Sequence, residues 1–600
     1  MSPSDWNNGL LTPIPKPNTD PRDPMGYRGI TLLSIPCKVY TDILNTRIQK
    51  WLEENNILAD EQNGFREKRN CIDNIYALSN IINMRKTAKK STFACFVDLR
   101  KAFDTVNRHC LWFKLMKCGI NGKILNSIQA LYTDVRCSVR VNDLYTDPFD
   151  VKQGVRQGCK LSPTLFSIYI NDLAGEINDL RCGVETGDFM VSLLMYADDI
   201  VLLAPDEHQL QLMLSKLNAW CKKWHLEINI EKTNVIHFRS TRNTRSDYEF
   251  RCGDTVINYT DSYRYLGIWL NEFMDMHKTV KELCKSASRA LSAIYTKFRS
   301  NSGMSFEIYT KLYTTLVEPV LFYGAGIWGT KSYREVQTIQ NKACRFFLGV
   351  GQNSANTASL GDMGWISCSV QQRTEVMRTF FRVQAMPDNR TTKRIHNKAL
   401  TINTSWDTKV IKMFENLNVS WIVREDWSIK RKISFLKDIL INADKLEWTK
   451  DLWNDRNKPN GNKLRTYRTY MFEKSTSYYV KQTRRRDHRS VFAKFRNGSL
   501  PLLIETGRYT KPLTPLENRT CKFCSTPNYY VEDEKHFLID CDFYSDLRET
   551  LFHKAVDLNN DFMRLNSSQK LIYLMNCHIL VPLLVNTLFN MYKRRLFNTF

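Results

Sequence analysis

Tyr196-Ala197-Asp198-Asp199 constrains this chain most, because it stands between two near-continuous apolar runs, Val191-Ser192-Leu193-Leu194-Met195 and Ile200-Val201-Leu202-Leu203. Runs of this length and composition read as buried strands, which makes the tetrapeptide the tip of a strand-turn-strand. Taking one Asp out of water is costly and two side by side repel, so a tip holding both beside buried strands requires a compensating cation. A divalent metal would serve. Alone, an Asp-Asp pair at a turn is usually only turn chemistry, so the surrounding sequence decides.

Upstream, Thr92-Phe93-Ala94-Cys95-Phe96-Val97-Asp98 is an apolar strand ending in a third acid, followed by Leu99 to Asp104 and a helical pattern through Leu111, Leu115 and Met116. Asp104 is ambiguous, since it begins what reads as a helix at Asp104-Thr105-Val106-Asn107 where a cap would also stand, and it is left out of the catalytic set. Between the acidic sites, Gly154-Val155-Arg156-Gln157-Gly158-Cys159-Lys160-Leu161-Ser162-Pro163 forms a glycine-punctuated loop. It opens a helix whose apolar positions include Leu161, Leu165, Phe166, Tyr169 and Leu173. Pro163 suits a first helical turn, and the glycines allow close backbone approach to a ligand.

With these three motifs in this order, the chain resembles the reverse transcriptases of non-LTR (LINE-type) retrotransposons. The resemblance extends to Ile14-Pro15-Lys16 with Tyr27-Arg28-Gly29-Ile30-Thr31-Leu32-Leu33-Ser34, and to Gln62-Asn63-Gly64-Phe65-Arg66. It continues through Asn229-Ile230-Glu231-Lys232-Thr233 and Tyr265-Leu266-Gly267, and is specific from about residue 12 to 270. Gly29 departs from the proline usual in the family after the arginine, which suggests a less rigid turn there.

The resemblance implies an α+β right-hand polymerase of fingers, palm and thumb, followed by a mostly helical C-terminal region with a zinc knuckle. It implies RNA-directed DNA synthesis from a DNA primer on an RNA template, with deoxynucleoside triphosphates as substrates. In-line attack of a 3′ hydroxyl on an α-phosphate builds negative charge on the attacking and leaving oxygens. Two hard cations roughly 3.5–4 Å apart offset it and favour carboxylate, phosphate and water oxygens, so two magnesium ions on Asp98, Asp198 and Asp199 are expected. By resemblance, Arg28 and Lys16 grip the triphosphate, Phe103 lies under the sugar and excludes a 2′ hydroxyl, and Gln157 supports the template base and incoming nucleotide. Lys232 would protonate the leaving pyrophosphate, a role carried over from the family and not read from the sequence.

A second constellation has the spacing Cys521-x2-Cys524-x11-His536-x4-Cys541. Sulfur and imidazole at these intervals supply the four ligands of a closed, structural zinc site. The spacing also resembles the zinc knuckle late in LINE-type proteins, including Glu532-Asp533-Glu534 before His536. The other thiols among the 17 cysteines, such as Cys95 and Cys159, are expected to be reduced and buried in an intracellular setting. By resemblance that setting is the nucleus, with cytoplasmic RNA-protein particles.

At 600 residues the chain exceeds one core, its 43% hydrophobic share excludes wholesale disorder, and its net charge of +24 favours polyanionic partners. Its longest apolar stretch, Leu571 to Leu588, is interrupted by Asn576, His578, Pro582 and Asn586, so it reads as an amphipathic or core helix and not a membrane span.

The expected organisation is fingers over 1–90, palm over 91–245, primer-side hairpin and thumb over 246–330, and a helical scaffold over 331–455. A basic, aromatic nucleic-acid-binding segment would cover 456–510, and the knuckle with C-terminal helices 511–600. Val39, Ile43, Leu44, Ile48, Trp51 and Leu52 have helical spacing in a mostly helical fingers region, and a thumb-like helix is expected from Leu283 to Phe298. Arg456 to Asn462 reads as a turn-rich linker. After it, Arg465, Tyr467, Arg468, Tyr470, Tyr478, Tyr479, Lys481, Arg484, Arg485, Arg486, Arg489, Phe492, Lys494, Phe495 and Arg496 interleave cations with rings, a composition suited to unpaired nucleic acid.

LINE-type elements usually carry a nuclease domain, and neither end of this chain has room for one. It is therefore expected to be part of a larger polyprotein, a truncated gene product, or a copy relying on another nuclease. Two alternatives to an active polymerase are a domesticated, catalytically silent RNA-binding copy and an intron-maturase-like splicing factor. The conjunction of Asp98, Asp198 and Asp199 favours the active enzyme.

Overall fold

The structure is a computed structural model that describes residues 3–16, 19–300, 303–457, 462–525 and 529–598. The proposed linker around Arg456 lies partly outside it, since 458–461 are not among the described residues. The chain divides into two compact units, each discontinuous in sequence: 1–279 with 379–420, and 280–378 with 421–600.

The first unit is built on a six-stranded sheet with the order Phe250–Cys252, Thr255–Tyr259, Asn234–Phe238, Thr92–Val97, Asp199–Ala204, Leu193–Tyr196. Thr92–Val97 is central and buried at every position, which is why it reads as an unbroken apolar run and not as an alternation. Helix Glu207–Lys223 buries Leu210, Met213, Leu214, Leu217 and Trp220 at i, i+3, i+4 and i+7 spacing in the core it shares with the sheet. Asp206 caps that helix, its side chain accepting from Gln209 N–H.

The apolar run before the tetrapeptide is not one strand. Val191 closes a separate hairpin, Val184–Thr186 with Phe189–Val191, and the strand beside the acids begins at Leu193. The helix opened by Pro163 runs Ser162–Ile170 and stops, and Leu173 lies on the next helix, Asp172–Asn178. Asn171 marks the break, its amide group bonding Ala59 N–H and Ile57 C=O at 2.8 Å each.

The N-terminal region is less purely helical than its sequence suggests. Asn8–Pro15 pairs antiparallel with Tyr27–Leu32 and parallel with Arg136–Val141. Gly29 lies within the second of these strands opposite Pro13, so its departure from proline falls on a strand and not a turn. Helix Ile35–Glu54 buries Cys37, Thr41, Leu44, Ile48 and Leu52, leaving Val39, Ile43 and Trp51 exposed. Helical spacing alone did not distinguish the two faces, because Thr41 packs inward while apolar Val39, Ile43 and Trp51 face out.

The second unit is mostly helical among its described residues and includes helices Arg334–Leu348, Ile429–Asn454, Arg486–Arg496 and Val581–Phe597. Here the basic, aromatic segment departs from its sequence reading. Tyr467, Tyr470, Tyr479, Phe492 and Phe495 are buried, together with Arg489 and Arg496. The Arg496 guanidinium donates to Asp362 Oδ1 at 2.7 Å, and Tyr479 Oη donates to Asp362 Oδ2 at 2.7 Å. Tyr467, Tyr470, Tyr479 and Phe492 surround the Arg496 guanidinium, which is inside because Asp362 is inside, whereas Arg489 donates to the Phe347 and Thr483 carbonyls at 2.9 Å each. Exposed among the described basic residues of 456–510 are Arg456, Lys481, Arg484, Arg485 and Arg486. No helix among the described residues is long and apolar enough to cross a membrane.

Candidate functional site

Strand register brings the three acids together. Val97 lies opposite Ile200 and Tyr196 opposite Asp199, so Asp98 leaves the central strand beside the turn that carries Asp198 and Asp199. The turn itself is tight, with Ala197 at φ +55°. Asp198 is held above the ordinary carboxylate range, by burial first and by the charge of Asp98 second, with Arg28 pulling the other way. Asp199 is pushed up to about 6 by desolvation and by the charges of Asp198 and Asp98. Among the described residues neither Asp198 nor Asp199 forms a salt bridge, so this repulsion is left for a bound cation to offset.

Asp98 is positioned from the other side. The Asn229 side-chain amide donates to Asp98 Oδ2 at 3.0 Å, Asn229 N–H donates to Asp98 C=O at 2.8 Å, and Asp98 N–H donates to Thr233 Oγ1 at 3.3 Å. The same turn places Lys232 Nζ 4.0 Å from Asp98 Oδ2, on a side chain two-thirds exposed. Sequence reasoning quoted this segment for its lysine and missed that Asn229 and Thr233 fix the aspartate.

Gln157 donates from Nε2 to Asp104 Oδ1 at 3.1 Å, and its carbonyl accepts from Thr31 N–H at 2.7 Å, tying the glycine loop to the N-terminal sheet. Both loop glycines adopt positive φ, and a Cβ would lie 2.6 Å from Asp104 C=O at Gly154 and 2.5 Å from Thr31 C=O at Gly158. Asp104 is not a helix cap. It sits inside the short helix Ala102–Thr105, while Asn107 caps Arg108–Lys117 by accepting from Cys110 N–H. Burial raises the Asp104 carboxyl, with Gln157, Lys101 and Lys16 acting to lower it. Lys16 donates from Nζ to Met25 C=O at 2.8 Å, and the Phe103 ring stacks on Phe166 with centroids 4.8 Å apart.

A layer under the turn had no assigned role in the sequence. Gln62, fully buried, accepts at Oε1 from Ala197 N–H at 2.9 Å and from Gly64 N–H at 2.7 Å, while Asn63 N–H donates to Met195 C=O at 3.0 Å. A Cβ on Gly64 would stand 2.3 Å from Ala197 N, a backbone atom that cannot yield without moving the turn. Gly64→Ala is therefore expected to cost about 1–3 kcal/mol of stability and to displace Asp198. Thermal unfolding and primer extension would show both losses, and an active, equally stable variant would contradict this packing.

The second cluster lies in the other unit. Cys521 Sγ, Cys524 Sγ and a His536 ring nitrogen all lie within 4.8 Å of one another, and Cys541 Sγ is 3.9 Å from Cys521 Sγ. All four residues are buried, and neither His536 ring nitrogen has a hydrogen-bond partner. The contact between the two sulfurs holds the Cys521 thiol below its usual range and pushes that of Cys541 up. The neighbouring acids are structural: Glu532 pairs with Arg595 through two contacts of 2.9 Å, and Glu534 accepts from Arg465 at 2.7 Å.

Residues 14–270 match the family model described as reverse transcriptase (RNA-dependent DNA polymerase). Among curated proteins, the chain is 28% identical over 356 residues to a probable RNA-directed DNA polymerase from transposon BS of Drosophila melanogaster, covering 57% of this chain and 38% of that protein. It is 24% identical over 345 residues to the RNA-directed DNA polymerase from mobile element jockey of Drosophila funebris, covering 56% and 37%. Among solved structures, apo telomerase from Candida tropicalis aligns with a TM-score of 0.35 and 14% identity, covering 73% of this chain and 70% of that one. The chain thus spans about two fifths of the length of the curated relatives it matches. Residues 14–270, which carry the three aspartates, thus match the reverse transcriptase family, and the curated proteins that the chain resembles are RNA-directed DNA polymerases of mobile elements.

Proposed function

We propose that the chain is an RNA-directed DNA polymerase that extends a DNA primer along an RNA template, with the six-stranded sheet as the palm of a right hand. The observation that carries this reading is the strand register that sets Asp98 beside Asp198 and Asp199 within the matched segment. The charge of Asp98 raises the proton affinity of Asp198, and the charges of both raise that of Asp199, so the three carboxylates are an oxygen-only donor set suited to magnesium. Two bound magnesium ions would supply charge stabilisation at the attacking and leaving oxygens.

The remaining steps belong to the protein. Arg28, whose charge acts on Asp198, is aligned to hold the triphosphate with a guanidinium fork, and Lys16 adds a second cation. Lys232, fixed beside Asp98, is within reach of the same anionic centre and supplies a proton to the departing pyrophosphate. Phe103, braced by Phe166, presents a rigid surface under the sugar that disfavours a 2′ hydroxyl. Gln157 is oriented by Asp104 and positions the loop under the template base.

The Cys-Cys-His-Cys cluster is proposed to hold one structural zinc. Two thiolates on a tetrahedral zinc with bonds of about 2.3 Å sit about 3.8 Å apart, close to the 3.9 Å between Cys521 and Cys541 Sγ. One of the two His536 ring nitrogens, both buried without a hydrogen bond, would gain a partner in the same way.

The polymerase reading is tested by extension of a labelled DNA primer annealed to an RNA template, with magnesium and deoxynucleoside triphosphates. Templated extension is expected. Folded protein that leaves the primer unextended with either magnesium or manganese would remove the reading.

A further inference from the structure

The family match ends at residue 270, yet the first compact unit takes in a later segment, 379–420, after the chain has passed through the other unit. That segment does more than cover a surface. Arg390, almost fully buried, donates from Nη2 to Asn63 Oδ1 at 2.9 Å and lies 3.6 Å from Asp73 Oδ2. Thr391 N–H donates to Asp60 Oδ2 at 2.6 Å, and Arg382 donates to Asp73 Oδ1 at 2.5 Å.

Asp73 is completely buried at the start of helix Cys71–Thr87, and both its cations come from beyond residue 378. A buried carboxylate deprived of its partners is strongly destabilising, so residues 14–270 by themselves leave this charge uncompensated. Farther along the same helix, Tyr76 Oη donates to Asp407 Oδ1 at 2.6 Å, and His396 Nδ1 meets that oxygen at 2.7 Å.

Asn63 is the link to the chemistry. Its backbone N–H holds Met195 C=O, its side-chain amide bonds Asn74, and Asn74 in turn donates to the same Met195 carbonyl at 3.0 Å. Met195 is the last residue before the Tyr196-Ala197-Asp198-Asp199 turn, and Gln62, next to Asn63, grips Ala197. We infer that Arg390 is a positioning residue for the catalytic turn, acting through Asn63, and that residues 379–420 complete the polymerase unit. Arg382, which reaches Asp73 and not Asn63, anchors the segment without orienting the turn.

This inference rests on the polymerase reading, and the experiment separates the two. Primer-extension kinetics and hydrogen exchange at the Ala197 amide would be measured on the full chain and on Arg390→Ala, Arg390→Lys and Arg382→Ala. Arg390→Ala is expected to lower kcat by about tenfold or more with the deoxynucleotide KM changed by less than about twofold. Its Ala197 amide should exchange about tenfold faster. Arg390→Lys, which keeps the charge but loses the fork, provides a milder variant with the same pattern. Arg382→Ala should lower the melting temperature while leaving kcat and Ala197 exchange within about twofold of wild type. Equal effects from the Arg382 and Arg390 variants, or unchanged kcat and exchange in both Arg390 variants, would overturn the inference. If the wild-type chain itself extends no primer, the polymerase reading falls and the exchange comparison still decides the coupling.

Discussion

Replacing Asp198 by asparagine is expected to reduce magnesium-dependent primer extension by about a thousandfold while leaving the fold at least as stable as before. The side chains are nearly isosteric, and the change removes one of three charges that repel at the strand ends. Burial and the charge of Asp98 already disfavour ionised Asp198, so the metal-free protein gains by losing it. What it loses is an anionic oxygen donor, for which the neutral asparagine amide is a weaker ligand to a hard cation.

The pH dependence follows with a definite sign. Folded Asp199 keeps its proton up to about pH 6, against an ordinary value of 3.8, so between these limits the folded state binds more protons than the unfolded one. Stability of the metal-free protein therefore falls as pH rises through that window and stays lower above it. Asp199 is exposed at the turn, so solvent screening leaves about 1 kcal/mol of this effect. Asp199→Asn should flatten the slope. Thermal unfolding at pH 5 and pH 7.5 without divalent ions, then with magnesium at pH 7.5, would show it, and magnesium should restore stability to wild type and not to the variant. An Asp198→Asn protein retaining more than about a tenth of wild-type extension would contradict the assigned donor set.

How much of this was legible in the sequence depended on whether the signal was local. The Asp98 strand, the acidic turn and the Pro163 helix start were readable because an apolar run and its punctuation are contiguous. Asp104 stayed ambiguous because Asp at a helix start is often a cap, and only the fold brings Gln157, 53 residues away, to its carboxylate. Burial misled in both directions: Val39 and Ile43 are apolar and exposed, whereas Arg489 and Arg496 are charged and buried. An interleaved basic and aromatic pattern has the same composition whether the rings stack on bases or enclose an Asp362–Arg496 pair. The support beneath the turn was the least visible, since Gln62, Asn63 and Arg390 are ordinary polar residues whose role exists only through contacts over more than a hundred positions.

Loss of the metal from the Cys-His cluster should disrupt the end of the second unit and spare the chemistry of the first. Structural zinc contributes on the order of 10 kcal/mol of apparent binding free energy, comparable to the whole stability of a typical domain. The segment it would secure holds two buried carboxylates, Glu532 against Arg595 and Glu534 against Arg465. When that segment loosens, both arginines lose these carboxylates, so the damage spreads to helix Val581–Phe597. Cys521→Ser, or incubation with a strong chelator, is expected to remove bound zinc and expose the amides of 519–544 and 581–597 to rapid exchange. Cys577→Ser, outside the cluster, should change neither. The three aspartates and the residues that hold them all lie in the other unit, which has its own core. Extension on a short homopolymer template should therefore persist within a few-fold of wild type. Protein purified without zinc, whose exchange and melting are indifferent to chelator, would show that the four side chains are held by packing alone.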